Sequence, residues 1–505
     1  MTFNFNKNEF NIFLESSNKA ILYKKISSDQ ITPVLAARRI FEKFPDYNLL
    51  LESAQNNKDG KNSKGRFSVI AFDPDVVWKC ENGASAINLD FYKDRNSFVK
   101  KGDNVIQSFR DFFNSSKIDF SKFSYNNSEM PSICAGIFGY FGYDMVNFFE
   151  KISNNKQIDE TNIPDSIFIR PQVIVVFDNF YDCALICCPL YGNKENDYDY
   201  LEKKINLIED IIKNGEFTKI KNINTSGYSF KSSHNKDEYC KIVDYCKNFI
   251  VNGDIFQILP SQRFTCDYFE DEFLFYRSLR SLNPSPFLFY LKFNNFVLTG
   301  SSPEIMVSLK NNKVTIRPLA GTRPRGINIQ EDRAIAKNLL SDEKEVAEHL
   351  MLIDLGRHDV GRVCKPSTVV TTEKMVIEFY SHVMHISSNV EGEIRDEFDA
   401  IDALISGFPA GTVSGAPKIR AMQILSEIEN LKRAFYAGCV GYFSANGEME
   451  TCITLRSALI KNDKIYIQSG AGVVFDSNAE SEHNECINKA SALIQACKKI
   501  NEFVD

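Results

Sequence analysis

Residues 316–326 read IRPLAGTRPRG and concentrate side chains that shape the backbone and bind anions. The two prolines fix φ and the two glycines permit positive φ, so the segment predicts a shaped turn rather than the interior of a strand or helix. Arg317, Arg323 and Arg325 carry forked guanidinium donors that suit carboxylates or phosphates. Such a turn met alone is more often a surface turn with solvated charges, so its role depends on the segments around it.

The bulk composition excludes several classes of protein. A chain of 505 residues predicts two or three domains or one large layered body. Its net charge of −7 argues against a nucleic-acid partner, which needs a basic face. No apolar run approaches the about 20 residues that span a bilayer, and the N-terminus lacks a secretory signal pattern, so we expect no membrane association. The 13 cysteines include no C-x-x-C pair, which predicts free thiols in a reducing cytoplasm.

The chain divides into three predicted regions. Residues 14–190 mix short helix and strand signals, and Asp73 with Pro74 is expected to end the strand that begins near Gly65. Residues 191–234 combine a helical stripe with a linker rich in Asn, Lys, Ser and Thr. Residues 235–497 repeatedly place polar residues within segments that ought to be buried. Periodicity alone therefore predicts a mixed α and β protein and no finer class.

Two E-x-x-E motifs are the most informative local pattern. Glu345 and Glu348 lie on one face of a predicted helix whose expected N-cap is Ser341, and Glu482 and Glu485 have the same spacing on another helix. Two carboxylate pairs can offer hard oxygen ligands to Mg²⁺ if both face one cleft. A single motif of this kind is usually a solvated helix face.

Two segments rich in small residues suit anion binding. Residues 410–418, AGTVSGAPK, precede a helical stripe over 419–431, and Pro417 is expected near its first turn, so backbone amides and Lys418 would face an anion. The segment lacks the Gly-Lys-Ser/Thr ending of a nucleotide loop. Residues 469–474, SGAGVV, let backbone amides approach a carboxylate closely, although plain packing is the commoner use of such a turn.

Three titratable residues stand in apolar surroundings. His382 and His385 occupy an apolar segment, where a histidine is more often structural than catalytic. Glu304 begins an apolar run. Partial burial would raise its pKa and make it a proton donor, and the equal alternative is an acid that caps a turn.

Together these segments resemble the chorismate-utilising enzyme family, and within it the large subunits of anthranilate synthase. The resemblance is dense over residues 235–495 and weaker over 14–190, around residues 49–53. It implies an α+β fold, with a large layered α/β/β/α body built on mostly antiparallel sheets. It also implies a regulatory region over 14–190, a helix and linker over 191–234 and a chorismate-binding domain over 235–497. The matching motifs cover residues 254–264, 300–304, 317–326, 348–359, 381–385, 411–418 and 470–474.

The family's roles carry over to matching positions. By resemblance, Glu304 protonates the departing hydroxyl at C4 of chorismate, His385 takes part in the elimination of pyruvate, and Thr412 and Lys418 line the site. Glu348 and Glu485 would hold Mg²⁺, with Glu345 and Glu482 acting through water. The implied chorismate-binding residues are Gly321, Thr322, Tyr436, Arg456, Gly470, Ala471 and Gly472.

Two positions separate this chain from relatives with other chemistry. Relatives that add water carry a lysine base where Gln257 stands, and aminodeoxychorismate synthases commonly carry a lysine nucleophile where Ala320 stands. An amide is not a competent base and a methyl group forms no covalent bond, so the resemblance implies direct attack of ammonia. The alternatives are an aminodeoxychorismate synthase component I and a catalytically silent tryptophan-sensing subunit.

The resemblance also implies partners. No glutaminase motif is evident, so ammonia would come from a separate glutamine amidotransferase subunit. The family's tryptophan feedback site matches Glu52, Ser53, Pro286, Phe287 and Leu288. Phe287 and Leu288 replace the more usual Tyr and Met but keep apolar volume, so we expect inhibition to survive.

Overall fold

Antiparallel strands from both halves of the chain form one hydrogen-bonded network. The structure, a computed structural model, describes residues 3–56, 62–102, 104–126, 128–152, 157–192, 197–220, 223, 227–380 and 383–504. His382 lies outside the described residues. Among the described residues, no helix has both the length and the apolar character needed to cross a membrane.

The strands are mostly short and their bounds are as follows: β1 Ala20–Ser27, β2 Asn48–Glu52, β3 Ala54–Asn56, β4 Asn62–Lys64, β5 Phe67–Glu81, β6 Ala84–Asn88, β7 Val99–Gly102, β8 Ser124–Tyr125, β9 Ser128–Glu129, β10 Gly136–Phe141, β11 Ser166–Asp178, β12 Cys183–Leu190, β13 Lys231–Ser232, β14 Gln257–Ile258, β15 Ser261–Asp267, β16 Phe287–Lys292, β17 Val297–Ser302, β18 Ile305–Lys310, β19 Lys313–Ile316, β20 Leu319–Pro324, β21 Val370–Phe379, β22 Val383–Glu393, β23 Gly415–Ala416, β24 Cys439–Ser444, β25 Met449–Ile453, β26 Ser457–Lys461 and β27 Lys464–Gly470.

The α-helices flank these strands and have the following bounds: α1 Lys7–Ser17, α2 Pro33–Lys43, α3 Val105–Ser115, α4 Tyr198–Asn214, α5 Lys236–Val251, α6 Glu272–Leu282, α7 Ile329–Leu340, α8 Glu343–Gly361, α9 Ala400–Gly407, α10 Gly411–Ser414, α11 Lys418–Ile428 and α12 Ala479–Lys498.

Two long strands, β5 and β11, belong to two sheets at once. On one side of their bulge, residues 174–178 of β11 pair with β12 and residues 69–71 of β5 pair with β2. The first sheet continues from β2 through β16, β17, β26 and β27 to β15. On the other side of the bulge, β11 pairs with β10, and the second sheet continues through β24, β25, β18 and β19 to β22. The cited pairings are all antiparallel.

The prediction that Asp73 and Pro74 end a strand is wrong. β5 runs through both residues, with Asp73 at φ 56°, and Pro74 pairs with Pro171 of β11 where the register shifts. Neither proline can donate a ladder hydrogen bond, so their opposition costs the sheet little, and the bulge bends both strands from one sheet into the other.

The first sheet is buried on both faces. Neighbouring residues of β2 show this, because Leu49 packs into one apolar cluster and Leu50 into the other. The first cluster contains the aromatic residues Trp78, Phe109 and Phe141, with ring centroids 4.8–6.5 Å apart. The second packs α2, α4, α5, α6 and α12 against the outer face of the first sheet. The predicted α+β class with mostly antiparallel sheets is confirmed.

Several local predictions are confirmed. Thr32 caps α2 by accepting a hydrogen bond from the Leu35 amide, and Pro33 occupies the first turn. All thirteen cysteines are described and free, and all except Cys240 are buried. The three predicted regions remain a prediction. Strands from the first and third regions pair directly, β2 with β16 and β10 with β24, so the sheet does not break between them.

Candidate active site

Strand β20 forms one wall of the candidate site, and the prediction of a turn over residues 316–326 is wrong for its centre. Leu319–Pro324 is a strand paired with β22. The pairing shifts register between Ala320 and Thr322, where Gly321 has φ +66°. A bulge absorbs the glycine and the strand ends at its proline, so both residues are compatible with a strand here.

The three arginines of this segment are paired with carboxylates of the protein. Arg317 binds Glu378, Arg323 donates to Asp342 at 2.7 Å and to Glu345 at 2.9 Å, and Arg325 makes a forked contact with Asp332. Their donors therefore brace β20 and α8 instead of facing an external anion, which corrects the reading of an arginine cradle.

His385 of β22 is held by the β20 bulge. Its Nδ1 lies 3.0 Å from the Thr322 hydroxyl and 3.3 Å from the Gly321 carbonyl, and its buried Nε2 has no hydrogen-bond partner among the described residues. Burial, and then the charge of Arg456, lowers the pKa of His385 to about 3. Since the Gly321 carbonyl can only accept, we assign the proton to Nδ1. A neutral imidazole therefore presents a free lone pair at Nε2.

Glu304, in the loop between β17 and β18, is a buried carboxyl. Burial raises its pKa to about 8, although the Thr412 hydroxyl, the Leu319 amide and the charges of Arg456 and Lys489 favour the ionised form. The Thr412 hydroxyl lies close enough to Glu304 to lower the pKa of this carboxyl. Among the described residues, however, no well-formed hydrogen bond involves Thr412 Oγ1. Glu304 therefore carries a proton at neutral pH and is suited to donate it.

Arg456 contributes a cation to this wall. Its backbone lies in the left-handed region, φ 48°, and its charge acts on both Glu304 and His385. Among the described residues, no ion-pair or hydrogen-bond partner reaches its guanidinium. An unpaired guanidinium beside a protonated carboxyl is a site for an anionic ligand.

The two E-x-x-E motifs lie on α8 and α12 and face each other. The pKa of Glu348 is raised first by burial and then by the carboxylates of Glu345 and Glu485, while a hydrogen bond of 2.9 Å from Gln257 Nε2 opposes the rise. Glu482 has a buried Oε2 without a partner, and burial raises its pKa. Carboxylates of both motifs therefore lie close enough to affect one another, and their role as metal ligands stays a prediction.

These carboxylates fit a hard divalent cation, although they do not form a preassembled metal cluster. No group of three His, Cys, Asp or Glu within the described residues is arranged as a metal site. Two of these carboxylates also pair with cations of the protein, Glu345 with Arg323 and Glu485 with Lys489 at 2.8 Å. Carboxylates that raise each other's pKa gain most from an added positive charge.

Two helix starts differ from the predictions. Asp342 rather than Ser341 caps α8, since Ser341 already ends α7. Pro417 is the N-cap of α11, which ends at Ile428 rather than at Leu431. Lys418, in the first turn of α11, is buried and binds Asp359 of α8 at 2.7 Å, so its ammonium joins two helices and does not point freely at an anion.

The turn 470–472 closes the opposite side of the cleft. A Cβ at Gly470 would lie 2.7 Å from the Pro260 carbonyl, and one at Gly472 would lie 3.0 Å from Gln257 Nε2, so backbone amides come close where side chains cannot. Burial raises the pKa of the Tyr436 hydroxyl, and the backbone of Gly470, which lies against that hydroxyl, partly offsets the rise. Ala471 is fully buried between these contacts.

Similarity to known proteins shows the family of this chain. A family model described as chorismate binding enzyme matches residues 56–495. The anthranilate synthase component 1 of Cereibacter sphaeroides is 41% identical, over 97% of this chain and 96% of that protein. The chain belongs to the anthranilate synthase component 1 family.

Solved structures agree with this membership. Anthranilate synthase component I from Streptococcus pneumoniae is 36% identical and superposes with a TM-score of 0.75 over 87% of this chain and 94% of that one. A menaquinone-specific isochorismate synthase from Escherichia coli, only 15% identical, has a TM-score of 0.70 over 97% and 98% and shares the fold.

Lys489 of α12 is a site residue that the motifs of the anthranilate synthase component 1 family did not reveal. Its ammonium donates to the Gly470 carbonyl at 3.1 Å, binds Glu485, and favours the ionised form of Glu304. It follows Glu485 by four residues, so the spacing on a helix was the one available signal. Gln257, noticed in the sequence only as a missing lysine, proves to be the hydrogen-bond donor to Glu348.

The five predicted tryptophan-site residues of the family line one cavity of about 690 Å³, and Glu304 is not among its described lining residues. The two segments that contribute them are joined where the Ala54 amide donates to the Ser285 carbonyl at 3.0 Å. Glu52 is fixed there by the Tyr276 hydroxyl, which donates at 2.6 Å, and by Arg280, whose Nε and Nη2 donate to the two carboxylate oxygens. Ser53, Pro286 and Phe287 remain partly exposed to the cavity.

Proposed function

We propose that this chain converts chorismate and ammonia to anthranilate and pyruvate, as the large subunit of an anthranilate synthase. The observation that carries the proposal is a protonated buried carboxyl, Glu304, placed beside Arg456, whose guanidinium has no partner among the described residues. One group can protonate a leaving hydroxyl while the other holds a carboxylate. Family membership at 41% identity over nearly the whole length of both chains supports the same reaction.

Chorismate is a dicarboxylate, and two sets of donors suit its two anionic groups. Arg456 provides a charged donor, and the turn 470–472 provides backbone amides at close range. Tyr436, Gly321 and Thr322 would complete the contacts around the ring. Fixed donors that need no reorganisation lower the cost of charge development during the reaction.

In the first half-reaction, ammonia forms a bond to C2 while the bond from C4 to its hydroxyl breaks. Glu304 gives its proton to that hydroxyl, which leaves as water, and the ring double bonds shift. The nitrogen, positively charged once it is bonded to C2, then releases one proton to solvent and gives aminodeoxyisochorismate. The carboxylate left on Glu304 faces Arg456 and the Thr412 hydroxyl, both of which favour its ionised form. The acid is therefore prepared for donation by burial and stabilised afterwards by its neighbours.

In the second half-reaction, a base removes the proton from C2 and the ring becomes aromatic. His385 is neutral because burial lowers its pKa, and its unpartnered Nε2 can accept this proton. The bond from the ring to the enolpyruvyl oxygen breaks, and protonation of the methylene carbon gives pyruvate. Thr412 and Lys418 would line this side of the site.

Magnesium belongs to the proposal as a cofactor. When bound, Mg²⁺ supplies a Lewis acid for the ring carboxylate, and Glu348 and Glu485 would hold it, with Glu345 and Glu482 acting through water. Binding of Mg²⁺ would release Lys489 from Glu485, because the metal ion and the lysine ammonium would compete for the same carboxylate.

The nucleophile is ammonia itself, because two positions exclude other chemistry. Ala320 has a methyl group in β20 and cannot form the covalent bond that a lysine there would form. The Gln257 amide donates a hydrogen bond to Glu348, and an amide is not a base near neutral pH.

The partners follow from the same proposal. A separate glutamine amidotransferase subunit would deliver ammonia, tryptophan would bind the cavity around Ser53 and inhibit the reaction, and the enzyme would work in the cytoplasm.

Product identification tests the proposal. The purified chain is incubated with chorismate, Mg²⁺ and an ammonium salt, and the products are separated by liquid chromatography with mass detection. Anthranilate as the nitrogen-containing product supports the proposal. Aminodeoxychorismate would assign the chain to folate synthesis, isochorismate would show water attack, and recovery of chorismate alone would indicate a silent subunit.

A further inference from the structure

A buried ion pair, Glu429 with Arg433, lies behind the candidate active site and touches none of the predicted site side chains except Tyr436. Arg433 Nε and Nη2 each donate to the Glu429 carboxylate at 2.7 Å, and Arg433 is 1% exposed. A fully desolvated guanidinium needs a hydrogen-bond acceptor for each of its donors. The groups that accept these hydrogen bonds are therefore held in place around it.

The remaining donors of Arg433 reach two backbone carbonyls on different segments. Nη1 donates to Val413 at 2.7 Å and Nη2 to Leu259 at 2.7 Å. Val413 belongs to α10, the four-residue helix that carries Thr412 beside Glu304. Leu259 lies between β14, which carries Gln257, and β15. One side chain therefore connects the acid side of the cleft to the strand that meets Glu348.

Glu429 connects the pair to a third segment. Its carboxylate accepts hydrogen bonds from both the amide and the hydroxyl of Ser261, at 2.9 and 2.8 Å. Ser261 begins β15 and stands opposite Gly470 in the pairing of β15 with β27. The carboxylate of Glu429 thus holds the residue that pairs with Gly470, where the turn 470–472 begins.

The loop after Arg433 carries Tyr436 in a strained backbone. Ala434 and Ala437 have φ of 53° and 64°, a region that alanine rarely adopts. The Arg433 guanidinium lies 5.6 Å from the Tyr436 ring centroid and 4.8 Å from that of Tyr143. Surrounding contacts must hold such a loop, and the guanidinium supplies one of them.

We propose that the buried pair of Glu429 and Arg433 is a positioning element of the active site, which sets α10, the turn 470–472 and Tyr436 relative to one another. The inference rests on the proposed function, since the segments it aligns are those that would bind and protonate chorismate. Neither residue touches the substrate in this account.

The chain offers a matched control. Arg170 makes the same forked contact with Asp75, at 2.8 and 2.6 Å, and lies 4.6 Å from the ring centroid of Tyr191. It connects β11 to β5 and reaches none of the three site segments. Arg433→Lys and Arg170→Lys therefore make the same chemical change in two similar pairs.

Steady-state kinetics and thermal unfolding of the full chain separate positioning from stability. We expect Arg433→Lys to lower kcat/KM for chorismate by about 100-fold, with KM raised and kcat lowered, because a displacement of about 1 Å can cost that much. Arg170→Lys should keep kcat/KM within about twofold while losing a comparable amount of melting temperature. Equal kinetics in the two variants, with an active unsubstituted enzyme, would overturn the inference.

A second variant serves if Arg433→Lys fails to fold. Glu429→Met combined with Arg433→Met replaces the pair by apolar side chains of similar length, and such replacements of buried pairs are often neutral for stability. A positioning role predicts recovery of the melting temperature without recovery of kcat, whereas parallel recovery of both would show a purely structural pair. An unsubstituted chain that makes no anthranilate would instead contradict the proposed function.

Discussion

Burial sets the protonation states of the two residues proposed to move protons. Glu304 gains a pKa of about 8 and His385 one of about 3, in both cases mainly because the charged form is desolvated. A carboxyl normally ionises well below a histidine, and here the order is reversed. Between these two values both groups are neutral, so an acid and a base can coexist in one site at neutral pH.

The pH dependence of turnover tests this order. We expect kcat to be nearly constant from pH 6 to 7 and to fall above about pH 8, because the protonated form of Glu304 is the active one and is lost as pH rises through its pKa. Glu304→Gln should lose about 10²- to 10⁴-fold in kcat. Full activity at pH 9.5, or a Glu304→Gln variant with near-normal kcat, would contradict the assignment.

The carboxylates of α8 and α12 give a prediction about metal binding. We expect Glu348→Gln and Glu485→Gln each to weaken Mg²⁺ binding by at least tenfold, since each removes a proposed direct ligand. Isothermal titration with Mg²⁺ measures this without turnover. Glu343→Gln, on the exposed side of the first turn of α8, is the control and should bind normally. Equal affinity in all three variants would exclude the two ligands.

At the scale of elements, local rules predicted the start of α2 correctly, missed the caps of α8 and α11, and misread two strands. Thr32 and Pro33 determine the start of α2 through contacts within one turn, so the sequence suffices. Pro74 and Gly321 look like strand breakers until their partners are known. Pro74 lies opposite Pro171, about a hundred residues away, and Gly321 sits in a bulge against β22. Pairing at such separation is invisible to a local pattern.

The same limit applies to the site. The E-x-x-E spacings revealed the four carboxylates because both members of each pair share a helix face. The contacts of Gln257 with Glu348 and of Lys489 with Gly470 depend on which elements converge, and sequence spacing does not contain that information.

The bulge in β20 yields a prediction at this scale. Gly321→Ala should cost about 1 kcal/mol or more, because φ is positive there and the new Cβ would lie 3.1 Å from Ile386 Cδ1 and 3.2 Å from Glu345 Oε2. It should also lower kcat, since the bulge orients His385. Gly83→Ala, with φ +79° and no atom within 4 Å of the new Cβ, is the control and should lose stability only. Unchanged kcat in Gly321→Ala would separate the bulge from catalysis.

At the scale of the whole molecule, two long strands join the first predicted region, residues 14–190, to the proposed catalytic region, residues 235–497. β5 and β11 cross between the sheets, and β2 of the first region pairs with β16 of the third. The cavity around Ser53 and Phe287 lies at this junction, so its walls come from both regions. A ligand there would contact strands that continue into both sheets.

This cavity gives a prediction about regulation. Tryptophan is expected to inhibit the enzyme, and Phe287→Ala should weaken that inhibition by about 10- to 100-fold, because it removes an apolar contact worth about 1.5–3 kcal/mol. The value of kcat without tryptophan should change little, since Glu304 and His385 are not among the cavity residues. Phe180→Ala, at an exposed position outside the cavity, is the matched control. Insensitivity of the unsubstituted enzyme to millimolar tryptophan would remove the proposed site.

The ratio of pyruvate to anthranilate tests the central claim most directly. The purified chain is given chorismate, Mg²⁺ and ammonium as the sole nitrogen source, and both products are quantified as chorismate is consumed. Positions 320 and 257 hold Ala and Gln where relatives with other chemistry carry lysine. We therefore predict one pyruvate for each anthranilate, with no aminated intermediate accumulating. An aminated ring product without an equal amount of pyruvate, or no reaction with ammonium at all, would contradict the account.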